Sequence, residues 1–150
     1  VNRPTPSSPA SALAPDVPPW LARRENVVWA GLVLALLATL ALQIVEIGDE
    51  LLPVSAMYVS AAALGLDAAA SGVRKRVGVG PSIANLAPGG WTVFAAMFWI
   101  LAVPAYLLGA RRRVRIEDGT PREPMTWGSW ITIGAFAALG LAVALAPLAK

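Results

Sequence analysis

The chain has 150 residues, 57% of them hydrophobic and only 14% charged, with a mean hydropathy of +0.63 and a net charge of +3, whereas soluble domains carry roughly 25% charge. It contains no Cys and no His, which removes thiolate and imidazole metal sites, Fe–S clusters, His-ligated haem or chlorophyll, Cys nucleophiles and His general bases. The composition therefore predicts a lipid-embedded protein that is not an enzyme and binds no cofactor through His or Cys.

Residues 1–26 form the first unit. Pro4, Pro6, Pro9, Pro15, Pro18 and Pro19 alternate with Ser7, Ser8 and Ser11, a composition that propagates neither helix nor sheet and predicts an extended, polyproline-like tail. No apolar core follows a basic start, so the stretch does not read as a secretory signal. Residue 1 is Val, as a GTG start codon or a processed terminus would give, and the 29 Ala fit a GC-rich bacterial genome.

Residues 27–150 form the second unit, a transmembrane helical domain. Its first span covers 27–45, an uncharged run with Thr39 and Gln43 four apart on one face, a pair suited to interhelical hydrogen bonds. Glu46, Asp49 and Glu50 follow at helical spacing. Three acids carry little specificity for a cation, and an outward-facing acidic loop is the simpler reading. The run 51–70 is the doubtful one. With Pro53 in its first turn it spans, placing Asp67 near an interface, or it lies as a short re-entrant or interfacial helix. Asp67 is within one or two turns of Arg74 and Lys75, which predicts a local salt bridge in preference to a proton relay.

Gly72, Gly78, Gly80 and Pro81 surround Arg74, Lys75 and Arg76 without the spacing of a phosphate loop, so this segment reads as a flexible connection with a basic surface. The third span covers 91–110 and contains Pro104, which should kink it. Arg111, Arg112, Arg113 and Arg115 follow directly and predict contact with anionic lipids or a partner. The last span covers 127–149, where Gly128, Thr132, Gly134, Ala138 and Gly140 offer a small-residue face for helix packing. Trp20, Trp29, Trp91, Trp127 and Trp130 lie near span ends, as an interfacial belt requires, and Trp91, Phe94 and Phe98 share a ridge.

The fold expected is thus all-α and integral to the membrane: a small bundle of four transmembrane helices, or three if 51–70 does not cross, behind an extended Pro-rich tail. A long excursion between spans would need its own fold, which favours four. With the N-terminus cytoplasmic, both arrangements keep most Arg and Lys inside, as the positive-inside rule asks. The stretch "LGLDAAASGVRKRVGVG" with "WTVFAAMFWILAVPAYLLGARRR" resembles small multi-span bacterial membrane proteins; the resemblance implies a helical bundle and no particular activity.

The function expected is that of a non-catalytic accessory or scaffold subunit of a larger bacterial inner-membrane complex, photosynthetic or respiratory, with other integral membrane subunits and anionic lipids as partners. Lipid or pigment contact would be by packing. The alternative is a small transporter or channel component, disfavoured by the scarcity of charge in the spans. A net charge of +3 with no aromatic residues interleaved among the arginines disfavours nucleic acid.

Overall fold

The computed structural model describes residues 18–44, 51–80, 82–115 and 121–146. The Pro-rich stretch up to residue 17 and the acidic Glu46, Asp49 and Glu50 lie outside these. The regular elements among the described residues are helical: α1 (Pro19–Ala22), α2 (Glu25–Ile44), α3 (Leu51–Ala70), a 3₁₀ turn over Ile83–Asn85, α4 (Pro88–Met97), α5 (Trp99–Pro104), a π-helical turn over Ala105–Ala110, α6 (Arg111–Arg115) and α7 (Trp127–Leu145). Three of them, α2, α3 and α7, are long and apolar enough to cross a membrane.

The three long helices are not the three that composition favoured. The doubtful run 51–70 is a continuous 20-residue helix, and it is the centre of the fold, packed on α2, on α4 and on α7. Its buried residues are mostly small, among them Ser55, Ser60, Ala61, Ala62, Gly65, Ala68 and Ala69. A helix enclosed by other helices needs close approach more than oily bulk. It is accordingly less apolar than α2 or α7, and 44% of its most apolar window is buried against 11% and 17% in those two.

The run 91–110, expected as a straightforward span, is not one helix. The main chain leaves helical geometry at Phe98, where φ is −135° and ψ 51°. The Phe98 amide still donates to Phe94, and its carbonyl accepts from both Leu101 and Ala102, so the break is hydrogen-bonded on each side. After it the chain reverses. Thr92 sits against Gly65 of α3, Trp99 donates from Nε1 to Ser60 Oγ at 2.8 Å further along α3, and Tyr106 and Arg111 are back beside Asp67. The ring of Trp91 meets that of Tyr106 at 5.3 Å, joining the two arms. Residues 88–115 are therefore a helical hairpin whose tip, at Phe98, lies near the middle of α3. An arm of ten residues is about 15 Å long, half of a bilayer's hydrocarbon thickness of about 30 Å.

With the hairpin returning to where it started, one end of the bundle collects the basic residues. Arg23 and Arg24 precede α2, Arg74, Lys75 and Arg76 follow α3, and Arg111, Arg112, Arg113, Arg115 and Arg122 lie between the hairpin and α7. The segments at this end are knitted together. Val77 N donates to Pro121 O, Glu123 N to Lys75 O, Lys75 Nζ meets Glu123 Oε1 at 2.9 Å, and Arg122 Nη1 reaches Gly72 O. The described parts of the connection, 71–80 and 82–87, are thus shaped, where a flexible linker was expected. Gly72, at φ +74°, closes α3 with Val73 N bonded to Ala68 O, a left-handed ending that glycine adopts at no steric cost. Asn85 then holds the loop from inside, accepting from Arg76 N at 2.6 Å and donating to Val79 O at 2.9 Å.

α7 lies against α3 and α4 through Ser129, Ile133 and Gly140, with Phe136 against Tyr58 at 5.8 Å. Ser55 Oγ donates to Gly140 O at 2.8 Å. Of the small residues expected to pack, only Gly140 does so: Gly128 and Ala138 are exposed, Gly134 has open space where a Cβ would go, and Thr132 bonds back to Gly128 O in its own helix. The packing face is offset because Ser129, Ile133, Phe136 and Gly140 recur at helical spacing on a neighbouring stripe. At the other end of the domain the described part of the N-terminal stretch departs from an extended tail, since Pro19–Ala22 is a helical turn and Leu21 is buried; Pro at a first helical position suits that turn.

Candidate functional site

A buried ionic cluster links α3, the returning arm of the hairpin and α2. Asp67 sits one turn before the end of α3 and is fully buried. Its Oδ2 accepts from Tyr106 Oη at 2.5 Å and from Arg111 Nε at 2.9 Å, and Oδ1 lies 3.5 Å from Arg111 Nη2. The partner expected from sequence, Arg74 or Lys75, is replaced by an Arg 44 positions away. Arg111, expected at the surface with its neighbours, is only 8% exposed. Its guanidinium carbon lies 3.8 Å from the ring centroid of Trp29, and Nη2 is 3.6 Å from Glu25 Oε1, so α2 closes the cluster from the far side. Ser71 Oγ donates to Asp67 O at 2.6 Å and lies 3.4 Å from Tyr106 Oη.

The local winding of the chain makes this possible. Residues five apart on an α-helix are about 140° apart around the axis, which would turn either Tyr106 or Arg111 away from Asp67. Pro104 has no amide hydrogen, and the turn after it widens until Arg111 N bonds to Tyr106 O, a five-residue spacing. That widening brings both side chains onto one face. The expected consequence of Pro104 was a kink; the hairpin's sharp reversal instead comes at Phe98, and the proline is succeeded by the π-turn.

The cluster is closed upon itself. Two carboxylates, Asp67 and Glu25, meet one guanidinium, with a phenol on Asp67, and no group of three or more His, Cys, Asp or Glu that could hold a metal occurs among the described residues. Trp91, expected as an interfacial anchor, is buried between Phe94 and Tyr106. Trp20 and Trp127 are exposed, as anchors would be. Of the other intramembrane polar residues, Thr39 is buried, its hydroxyl sharing one hydrogen between Ala35 O at 2.7 Å and Ala56 O of α3 at 3.0 Å, while Gln43 is exposed.

Two cavities adjoin the cluster and share Ala110 and Arg113. The smaller, of about 20 Å³, is lined by Arg74, Arg76, Arg113 and Arg122 with Val73 and Val114. The larger is an open groove of about 500 Å³ lined by Ile83, Trp91, Pro104, Ala105, Leu108 and Gly109. Arg112 and Arg113 are both exposed; Arg113 lines both cavities and Arg112 lines neither. Sequence reasoning singled out Asp67 and the arginines, and it missed Tyr106, Trp29, Glu25 and Asn85; Pro104 followed by Tyr106 and Arg111 was the available signal. No family model, no curated protein and no solved structure matches the chain.

Proposed function

We propose that the chain is a multi-pass protein of the bacterial inner membrane, crossed by α2, α3 and α7, with the hairpin 88–115 entering and leaving on one side. On this reading it is a non-catalytic accessory or scaffold subunit of a larger, energy-transducing complex of the photosynthetic or respiratory kind. The N-terminus is cytoplasmic, because every Arg and Lys among the described residues then lies at the inner face, a stronger bias than either arrangement drawn from the sequence.

The observation that carries the subunit reading is the unpartnered outer surface. α2 and α7 bury little of their apolar length, and Gly134 and Ala138, four apart and exposed, face outward from α7 as a smooth patch on which another helix can approach closely. The intramembrane charges, meanwhile, are engaged with one another in a clamp. Co-purification in mild detergent tests this, with mass spectrometry of the partners and an absorption spectrum of the eluate for pigment. Stable integral-membrane partners support it; a monodisperse, partnerless protein overturns it.

A second reading, a small transporter or channel component, is favoured by the hairpin alone. Chain reversals at membrane depth are tolerated where they are enclosed by protein or line a water-filled path. Proton or solute flux in liposomes holding only the purified chain would establish that reading instead.

A further inference from the structure

We infer that the groove between the two arms of the hairpin is a binding site for a membrane-soluble quinone, one ring carbonyl accepting from Trp91 Nε1 and the other from Arg113, with the apolar tail leaving beside Leu108. The inference goes beyond the subunit reading and rests only on the chain being embedded in a membrane.

The first observation is an unpaired donor. Trp91 is 1% exposed, and its Nε1 has no hydrogen-bond partner among the described residues. That is exceptional in this fold. Thr39, Ser55, Ser60, Asn85, Thr92 and Ser129 are all buried and all bonded. The other indole of the hairpin, Trp99, donates to Ser60 Oγ. Leaving a buried N–H unpaired costs more than a typical hydrogen bond returns, so an isolated exception points to an acceptor brought from outside the chain.

The second observation is the groove itself. Trp91 forms part of its wall, and its volume of about 500 Å³ falls in the ~300–1,000 Å³ range of ligand pockets. The rest of the wall is apolar except for Arg113. Arg74, Arg76 and Arg122 are engaged by other groups, whereas Arg113 is exposed and has no partner among the described residues. The side chains lining the groove thus offer two donors and no acceptor, since neither an indole nor a guanidinium accepts.

A donor-only apolar wall selects an acceptor-only apolar ligand. A fatty-acid anion answers Arg113 but sets hydrocarbon against the indole N–H, and its carboxylate placed at Trp91 would be stripped of water. A para-quinone carries two carbonyl oxygens at opposite ends of a flat apolar ring and has no donor of its own. Its reduced form, the quinol, has two hydroxyl hydrogens for which these side chains provide no acceptor, so the site favours the oxidised form. The proline and π-turn segment supplies most of the wall: the winding that turns Tyr106 and Arg111 toward Asp67 leaves Pro104, Ala105, Leu108 and Gly109 along the groove.

The test uses the full chain in a non-ionic detergent and follows its indole N–H signals in a proton–nitrogen correlation spectrum, Trp91 being the signal lost in Trp91→Phe. Decylubiquinone, decylubiquinol, decanoate and phosphatidylglycerol are added separately. Decylubiquinone is expected to move the Trp91 signal downfield, saturating at one per chain. The quinol should bind about tenfold more weakly, and decanoate and phosphatidylglycerol should leave the signal in place. Arg113→Gln should weaken quinone binding about tenfold, the worth of one charge-assisted contact. Gly109→Leu, at a wall position where a Cβ meets nothing within 4 Å, should abolish it, and Arg112→Gln should leave it unchanged. A Trp91 signal unmoved by the quinone overturns the inference, as does equal affinity for the quinol, or the same shift from decanoate or phosphatidylglycerol. An Arg112→Gln loss equal to that of Arg113→Gln overturns it as well. Because the isolated chain in detergent needs no partner, failure here is distinct from failure of the subunit reading.

Discussion

Asp67→Asn removes one charge from the centre of the clamp and changes the side-chain volume little. Asn keeps a carbonyl oxygen for Tyr106 Oη, which now bonds Asp67 at 2.5 Å, so the phenol is still satisfied. Arg111 loses its 2.9 Å ion pair and remains 8% exposed, with Glu25 at 3.6 Å and the Trp29 ring as its remaining support. Breaking a buried pair on one side costs ~3–5 kcal/mol, and a cation–π contact returns about 0.5–2 kcal/mol of support. Those two figures place the destabilisation at about 1–4.5 kcal/mol. Unfolding by SDS in mixed micelles, followed by Trp fluorescence because Trp29 and Trp91 flank the cluster, measures it directly. Adding Arg111→Gln should return more than half of the loss, since the double variant buries no charge. A cost under about 1 kcal/mol, as for a solvent-exposed pair, or strict additivity of the two substitutions, would refute the clamp.

Other outcomes rest on the same contacts. Arg111→Lys should destabilise nearly as much as Arg111→Gln, because an ammonium cannot reach both carboxylate oxygens while stacking on Trp29; recovery of full stability by Lys would contradict this. Gly65→Ala should cost about 1–3 kcal/mol, since its Cβ would fall on Thr92 Oγ1 and within 2.9 Å of Ile133, whereas Gly134→Ala, facing open space, should cost nothing. Because the chain has no Cys, single cysteines report its topology with a membrane-impermeant maleimide. Val79→Cys and Arg112→Cys should react from the same side, and Ala146→Cys from the other; a hairpin that crossed the bilayer would separate the first two.

A run of apolar residues encodes length and solvent, and that limits which parts of this architecture a sequence can disclose. The runs 27–45 and 127–149 were legible on those grounds, because α2 and α7 do present most of their surface outward. The same measure misread the other two runs. α3 looked weak because an enclosed helix substitutes Ala, Ser and Gly for Leu, and 91–110 looked secure because apolarity is silent about direction. Phe98 is neither Pro nor Gly, so the reversal carries no local signature; it is fixed by contacts made elsewhere, Trp99 with Ser60 and Trp91 with Tyr106. The cluster was half legible. Asp67 announced itself as a carboxylate within an apolar run, but its partner is chosen by the fold, and nothing in the spacing of Asp67 and Arg111 shows that a hairpin will bring them together.

The reversal at Phe98 bears on how the chain is made. Residues 91–110 are, to any machinery that reads hydrophobicity as the chain emerges, a competent membrane span, and four arginines come within the next five residues. If segments enter the bilayer in chain order, Asp67 is already in place when Arg111 arrives. The ion pair then acts as a sorting signal that draws residues 99–110 back toward the side they came from. On the proposed topology the Asp67–Arg111 pair and the four arginines together favour the hairpin over a crossing, and with it the side of the membrane on which α7 ends. Loss of the pair would then show as a share of misoriented chain alongside the deficit in the folded protein.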